Sequence, residues 1–130
     1  MTPENSIENA VGAVGIPCGH WPYTKRADVF CGFKSVGDTF DRASGRRLRV
    51  AVRYELVLCH KRGAEDEAER MRFALYEALN RAGWTLVDNG SEVYEEQTEM
   101  FYYPMTVSRG FGLDADGQPY DLMHGEVSAP

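Results

Sequence analysis

From Leu48 to Cys59 the chain alternates without a fault: Leu48, Val50, Val52, Tyr54, Leu56 and Leu58 fall on one side, and Arg49, Ala51, Arg53, Glu55, Val57 and Cys59 on the other. Side chains of a strand point to opposite faces in turn, so this period of two makes one greasy face and one mostly polar face. The segment predicts an amphipathic antiparallel strand of about a dozen residues, longer than the usual ~5–6. It is expected to form a hairpin with its predecessor and to offer a sheet that could extend beyond one subunit. A greasy sheet face has to be covered, and helices are the economical cover.

Two helices are predicted. Thr2-Pro3-Glu4 reads as an N-cap, a proline at the first helical position and an acid in the first turn. Ile7, Ala10, Val11 and Val14 then share one face until Gly15 and Pro17 end the helix. From Glu65 to Ala82, acids load the first turns, and Ala68, Met71, Leu75, Ala78, Leu79 and Ala82 form a stripe closed by Gly83. Phe73 and Tyr76 lie off that stripe. They are read first as a widened core face, and second as an exposed aromatic pair open to a partner.

The remaining segments read as extended chain and turns. Asp28 to Val36 is a strand, and Gly37 to Arg47 is a loop with Ala43-Ser44-Gly45 at its tip. Trp84 to Val87 is a short strand, followed by an Asp88-Asn89-Gly90 turn. Glu92 to Val107 is extended with Phe101, Tyr103, Met105 and Val107 on one side, and Pro104 marks it as an edge or bulged strand. After Arg109, Gly, Asp, Pro and Ser dominate without periodicity. Residues 110–130 are therefore expected to be a flexible or partner-docking extension of a domain spanning 1–109. The fold class is α+β, a mostly antiparallel twisted sheet with two helices packed on one face.

At 130 residues, 43% hydrophobic and 26% charged, the chain suits one domain with one core. No stretch approaches the ~20 apolar residues that cross a bilayer, and the N-terminus carries acids where a secretory signal carries Lys or Arg. Synthesis in the cytoplasm is expected. Cys18, Cys31 and Cys59 are odd in number and widely spaced, which fits buried thiols in a reducing compartment. The net charge of -6 disfavours a general nucleic-acid binder. Its distribution is uneven: residues 1–63 hold ten Lys/Arg against six Asp/Glu, and residues 64–130 hold four against fourteen. Opposite patches on one chain favour head-to-tail contacts between copies.

A search for chemistry points to no catalytic, cofactor or metal site. Cys18-Gly19-His20 and Cys59-His60 supply soft zinc donors, but neither pair has zinc-ligand spacing and Cys59 faces away from His60. They are read as two ordinary cysteines with two surface or capping histidines. Nothing local supplies the third group a Cys/His nucleophile needs. Glu95, Glu96 and Glu99 read as a solvated acidic edge and not as paired hydrolase carboxylates. Asp114-Ala115-Asp116-Gly117 opens like a calcium loop, yet Gly125 stands where the twelfth-position glutamate belongs, so a plain turn is expected. Gly12, Gly15 and Gly19 match no phosphate-cradling motif. The basic cluster Arg46, Arg47 and Arg49 sits at the base of the predicted hairpin, where it could meet phosphate or an acidic partner surface.

Several phrases recur in a familiar order: Gly15-Ile16-Pro17-Cys18, Asp28-Val29-Phe30, and Asp38-Thr39-Phe40 leading to Ala43-Ser44-Gly45. Val52-Arg53-Tyr54-Glu55-Leu56-Val57-Leu58 follows, then the acidic helix, then Tyr94-Glu95-Glu96-Gln97-Thr98-Glu99-Met100-Phe101. In order and spacing this resembles the tail terminator (tail completion) proteins of long-tailed bacteriophages, small α+β subunits that cap the tail tube and join it to the head. The resemblance covers about residues 7–107. Pro104 departs from it, standing where the family has a continuing strand, and residues 110–130 are extra.

The resemblance implies a structural virion protein, not an enzyme, that forms a homohexameric ring at the head-proximal end of the tail. Its partners would be itself, the tail tube protein and head–tail connector or neck proteins. No membrane and no sequence-specific nucleic acid would be involved, though genome DNA would pass through the lumen. The loop 37–47 with Phe40, together with Arg46, Arg47 and Arg49, is expected to contact neighbouring subunits or the tube. Phe73 and Tyr76 are further interface candidates, and acidic residues 92–99, among them Glu95, Glu96 and Glu99, are expected near a subunit edge. The alternatives are a neck or connector protein of the same joint and, in a different class, a small ligand-binding α+β domain or enzyme. A deep apolar pocket with convergent polar groups would favour the latter.

Overall fold

The structure, a computed structural model, describes residues 2–23, 27–43 and 45–122. Its elements in order are α1 (Pro3–Ala13), β1 (Cys18–His20), β2 (Val29–Ala43), β3 (Arg46–Lys61), α2 (Glu65–Arg81), β4 (Thr85–Asn89), β5 (Val93–Glu95), β6 (Met100–Leu113) and β7 (Pro119–Tyr120). The fold is α+β: one mostly antiparallel, curled sheet with two helices on one face.

Both helices form where local chemistry directs them. Thr2 and Asn5 make a reciprocal capping box around the start of α1, Asn5 N–H donating to Thr2 Oγ1 at 3.1 Å. Each helix then ends on a glycine in the left-handed region, Gly15 at φ 85° and Gly83 at φ 90°. In α1, Gly15 N–H donates to Gly12 O and Ile16 N–H to Val11 O; in α2, Gly83 N–H donates to Asn80 O and Trp84 N–H to Leu79 O. These are paired Schellman bonds, which satisfy the last carbonyls and turn Ile16 and Trp84 back into the core.

The sheet order is β1-β2-β3-β6-β4, with β5 and β7 also pairing to β6. β3 is the central spine, antiparallel to β2 on one side and to β6 on the other. Its even-numbered residues from Val50 to Leu58 are buried, with Val29, Cys31, Phe33, Met105, Val107 and Phe111 from the neighbouring strands. Ile7, Ala10 and Val11 of α1 and Ala68, Leu75 and Leu79 of α2 cover that face. At one end the opposite face is buried too, where Phe30, Val57 and Cys59 pack with Trp21, Tyr23, Met100 and Tyr102.

Several expectations are corrected. Residues 37–43 are not loop but the continuation of β2, which carries a register shift between Ser35 and Gly37 and pairs with β3 down to Ala43 opposite Arg46. The backbone pairing of β3 supplies the order that a side-chain pattern did not signal; Ser44, at the expected tip, lies outside the described residues. Leu48 is 44% exposed because the core ends at Val50. Asp88 and Asn89 belong to β4, and the stretch 92–107 folds back on itself through a turn at 96–99, pairing β5 with the start of β6.

Pro104 lies inside the sheet, not at its edge: β6 runs between β3 and the β4/β5 pair. Its carbonyl accepts from Gly90 N–H at 2.9 Å. Both backbone groups of an antiparallel residue point the same way, so the missing donor faces the break between β4 and β5, where no ladder partner is lost. The chain after Arg109 is also ordered into the fold. β6 continues to Leu113, Asp114 Oδ1 accepts from the N–H groups of Asp116 and Gln118 at 2.9 Å each, and β7 returns along β6. The last eight residues, 123–130, lie outside the described part.

Candidate functional site

β3 spans the sheet from one chemical environment to another. Near its start β3 and the end of β2 run out to a hairpin tip past the end of β6, and Val36, Phe40 and Leu48 along these two strands are exposed. Arg46, Arg47 and Arg49 lie here, beside the hairpin tip and not at its base. Arg47 places its guanidinium 4.7 Å from the centre of the Phe40 ring, a cation–π contact that leaves the ring only partly bare. Arg42 sits directly opposite Arg47 in the ladder, and Asp41 opposite Arg49. Like charges facing each other across strands are destabilising, so the tip carries uncompensated positive charge.

At the other end of β3 stands His60, expected to be a surface or capping residue and instead 5% exposed. It continues the greasy face one step past Leu58. Its ring stacks on Phe101, with centroids 4.9 Å apart and planes 7° from parallel. Its Nε2 is buried without a hydrogen-bond partner among the described residues. The nearest acid, Glu92 Oε1, is 3.8 Å away, beyond hydrogen-bond reach. His60 and Glu92 line a pocket of about 270 Å³ with Glu65, Glu69, Arg72 and Tyr103. Gly63 N–H donates to Glu65 Oε2 at 2.9 Å and holds that carboxyl below its usual range. Arg72 lies over the Tyr103 ring at 4.6 Å and the Phe73 ring at 5.0 Å.

Glu95 closes β5, and Glu96 and Glu99 occupy the following turn, all exposed and on the same end of the sheet as His60, since Met100 pairs with Lys61. Phe73 is 58% exposed, which corrects its reading as core, and it meets the half-buried Tyr76 edge-on at 5.7 Å. Tyr76 packs against the core, so only one of the two extends the helix stripe.

A second concavity, a cleft of about 620 Å³, opens between the helices, lined by small residues such as Ala10, Val14, Ala78 and Ala82. At its floor the buried Arg109 donates to Ser6 Oγ at 2.8 Å and ion-pairs with buried Asp121. Trp84 Nε1–H donates to the same Ser6 oxygen at 2.9 Å. These groups bind one another and clasp α1, β6 and the chain after β7 together. His60 and Arg109 share one legible signal that the sequence reading stopped short of: each extends an alternation, past Leu58 and past Val107, onto the core face. Glu92 had no such signal, because its place depends on the β5 fold-back.

Among the described residues, no three His, Cys, Asp or Glu side chains converge as a metal site. Cys59 sits in the back cluster away from His60, and His20 is exposed, with Nε2 2.9 Å from Glu4 Oε2. No protein-family model and no curated protein matches the chain.

Proposed function

We propose that this protein works through its outer surfaces, packing head to tail with copies of itself into a closed ring, and that the ring is the six-membered terminator of a long-tailed bacteriophage tail. In this reading it caps the tail tube, stops its growth and presents a second face to the head–tail connector, with no catalytic step. It is made in the host cytoplasm and ends in the virion, with DNA passing through the lumen. Phe40 and Arg46, Arg47 and Arg49 lie on one interface side, and Glu95, Glu96 and Glu99 on the other, with Phe73 exposed on α2 beside the half-buried Tyr76.

The observation that carries this reading is the placement of a cationic, projecting hairpin tip and an acidic rim at opposite ends of the same strand. A head-to-tail interface joins two different patches, so such a subunit can close a ring where a self-complementary patch would stop at a dimer. The terminator resemblance supplies the biological setting, and the α+β fold agrees with it.

The cleft at Arg109 favours the ligand-binding alternative by its size. Its charged groups are already engaged with each other, which favours a structural clasp over a site awaiting a ligand. The deciding experiment is the mass of the purified protein, alone and mixed with tail tube protein, by analytical ultracentrifugation with electron microscopy of the product. Rings of one closed size, free or on tube ends, support the proposal; a monomer under both conditions overturns it.

A further inference from the structure

We propose that the pocket at His60 is a receptor for the guanidinium of a second copy, delivered by Arg46 at the hairpin tip, so that each site is completed by a residue from the neighbour. This rests on the head-to-tail association proposed above and names its contact. The pocket presents Glu65, Glu69 and Glu92 against one cation, Arg72, whose guanidinium is spent on Tyr103, Phe73 and the Tyr76 hydroxyl. A cluster of acids alone would be an ordinary solvated rim. The difference here is His60, which lines the same pocket and whose Nε2 is buried without a hydrogen-bond partner among the described residues, its nearest acid being Glu92 at 3.8 Å.

A buried polar atom without a partner is costly, and a group that supplies one is bound accordingly. With its proton on Nδ1, the imidazole offers a lone pair at Nε2. Beside it, Glu92 offers an acceptor of opposite charge. A guanidinium matches that pair: it stays charged, and its planar fork can donate to the carboxylate and to the imidazole nitrogen at once. The pocket, about 270 Å³, suits one long side chain, whose stem would lie along Leu58 and Tyr103. A metal ion suits it less well, since no three ligands converge and the Glu65 carboxylate already accepts from Gly63.

The donor is equally specified. Arg47 is held over Phe40 and Arg49 has an acid, Asp41, as its cross-strand neighbour, whereas Arg46, nearest the tip, stands opposite Ala43 and has no side-chain partner among the described residues. Arg46 and His60 lie at opposite ends of one continuous strand, roughly 45 Å apart at about 3.3 Å per residue. No chain can fill its own pocket. The occupant therefore comes from another copy, and repetition of the contact builds head-to-tail order.

Sedimentation of full-length variants tests the inference. Arg46→Glu and Glu92→Lys should each weaken self-association by at least about tenfold, and the double variant carrying both should recover most of the loss. His60→Phe keeps the stack on Phe101 but removes the acceptor and should weaken association, whereas His60→Gln should retain it. Circular dichroism establishes that each chain is folded. If the wild-type protein forms rings that both charge reversals leave unchanged, or if the double variant is as weak as its parents, the pocket contact is wrong while the ring stands. If the wild-type protein never associates, the ring itself is wrong. A closed two-fold dimer would overturn the head-to-tail order.

Discussion

Ser6 illustrates how much one small polar residue can hold. Its hydroxyl accepts from Trp84 Nε1–H and from Arg109 Nη1–H, both buried. Alanine is the better helix former by about 0.5 kcal/mol, so an exposed serine here would gain from replacement. Losing the acceptor leaves two buried donors unpaired, at about 1–3 kcal/mol each. The second effect is larger, and Ser6→Ala is expected to destabilise the protein by about 2–4 kcal/mol in urea unfolding. A second residue-scale effect concerns alkali. Burial pushes the Cys59 thiol up to about 12 from an ordinary 9.0. Burial, then the charges of Glu4 and Asp38, pushes the Tyr54 phenol up to about 12 from 10.0. Between those values and 12 the unfolded chain has released protons that the folded chain keeps. Stability is therefore complete below about pH 9 and falls as pH rises through the window. The urea midpoint should drop from about pH 8 to about pH 11, and the drop should be smaller in Cys59→Ala. At neutral pH the same burial should protect Cys31 and Cys59 from iodoacetamide in the native state, read by mass spectrometry.

At the scale of elements, what was legible followed from local chemistry. Both helix ends could be read because a glycine that must adopt a left-handed backbone announces itself in sequence. Replacing Gly83, at φ 90°, with alanine should cost about 1–2 kcal/mol, seen as a lower thermal midpoint, while α2 itself persists by circular dichroism. The outer half of β2 could not be read in the same way. Residues 37–42 bury no apolar stripe, and the strand conformation of 37–43 comes from the ladder that β3 offers, a partner only the fold supplies. Pro104 misled for a related reason. A proline excludes the middle of a sheet only where its N–H would face a ladder partner, and the break between β4 and β5 removes that condition. Phe73 stayed ambiguous because a helical wheel gives the direction of a side chain but not the width of the surface it meets.

For the whole molecule, the charge asymmetry between sequence halves maps onto space only in part, since Lys61 and Arg62 stand at the acidic end and Asp114 and Asp116 follow the end of β6 on the side of the basic tip. The basic tip and the acidic rim lie at opposite ends of β3, and the acids of α2 join those of residues 92–99 only through the β5 fold-back. Contacts between exposed opposite charges weaken once the Debye length falls below their separation. Association measured by sedimentation should therefore decline steadily between about 50 mM and about 500 mM salt, whereas the urea midpoint of the monomer changes little. Self-association that strengthened with salt would point to the apolar residues Val36, Phe40 and Leu48 as its main source instead.

The sequence by itself determined the α+β class, both helices with their boundaries, the long alternating strand and the side of the last strand that faces the core. Each of these rests on near neighbours in the chain, through a period of 2 or 3.6 and through caps whose bonds close within a few residues. Only the tertiary structure decided that residues 37–43 form a strand, that Pro104 fits inside the sheet and that His60 and Arg109 are buried polar groups with different fates. Arg109 finds Ser6, 103 residues away, and Asp121, whereas His60 Nε2 finds no hydrogen bond among the described residues. Partners so distant are brought together by the packing of whole elements, and a pattern confined to one segment carries no record of what the opposite segment will place there.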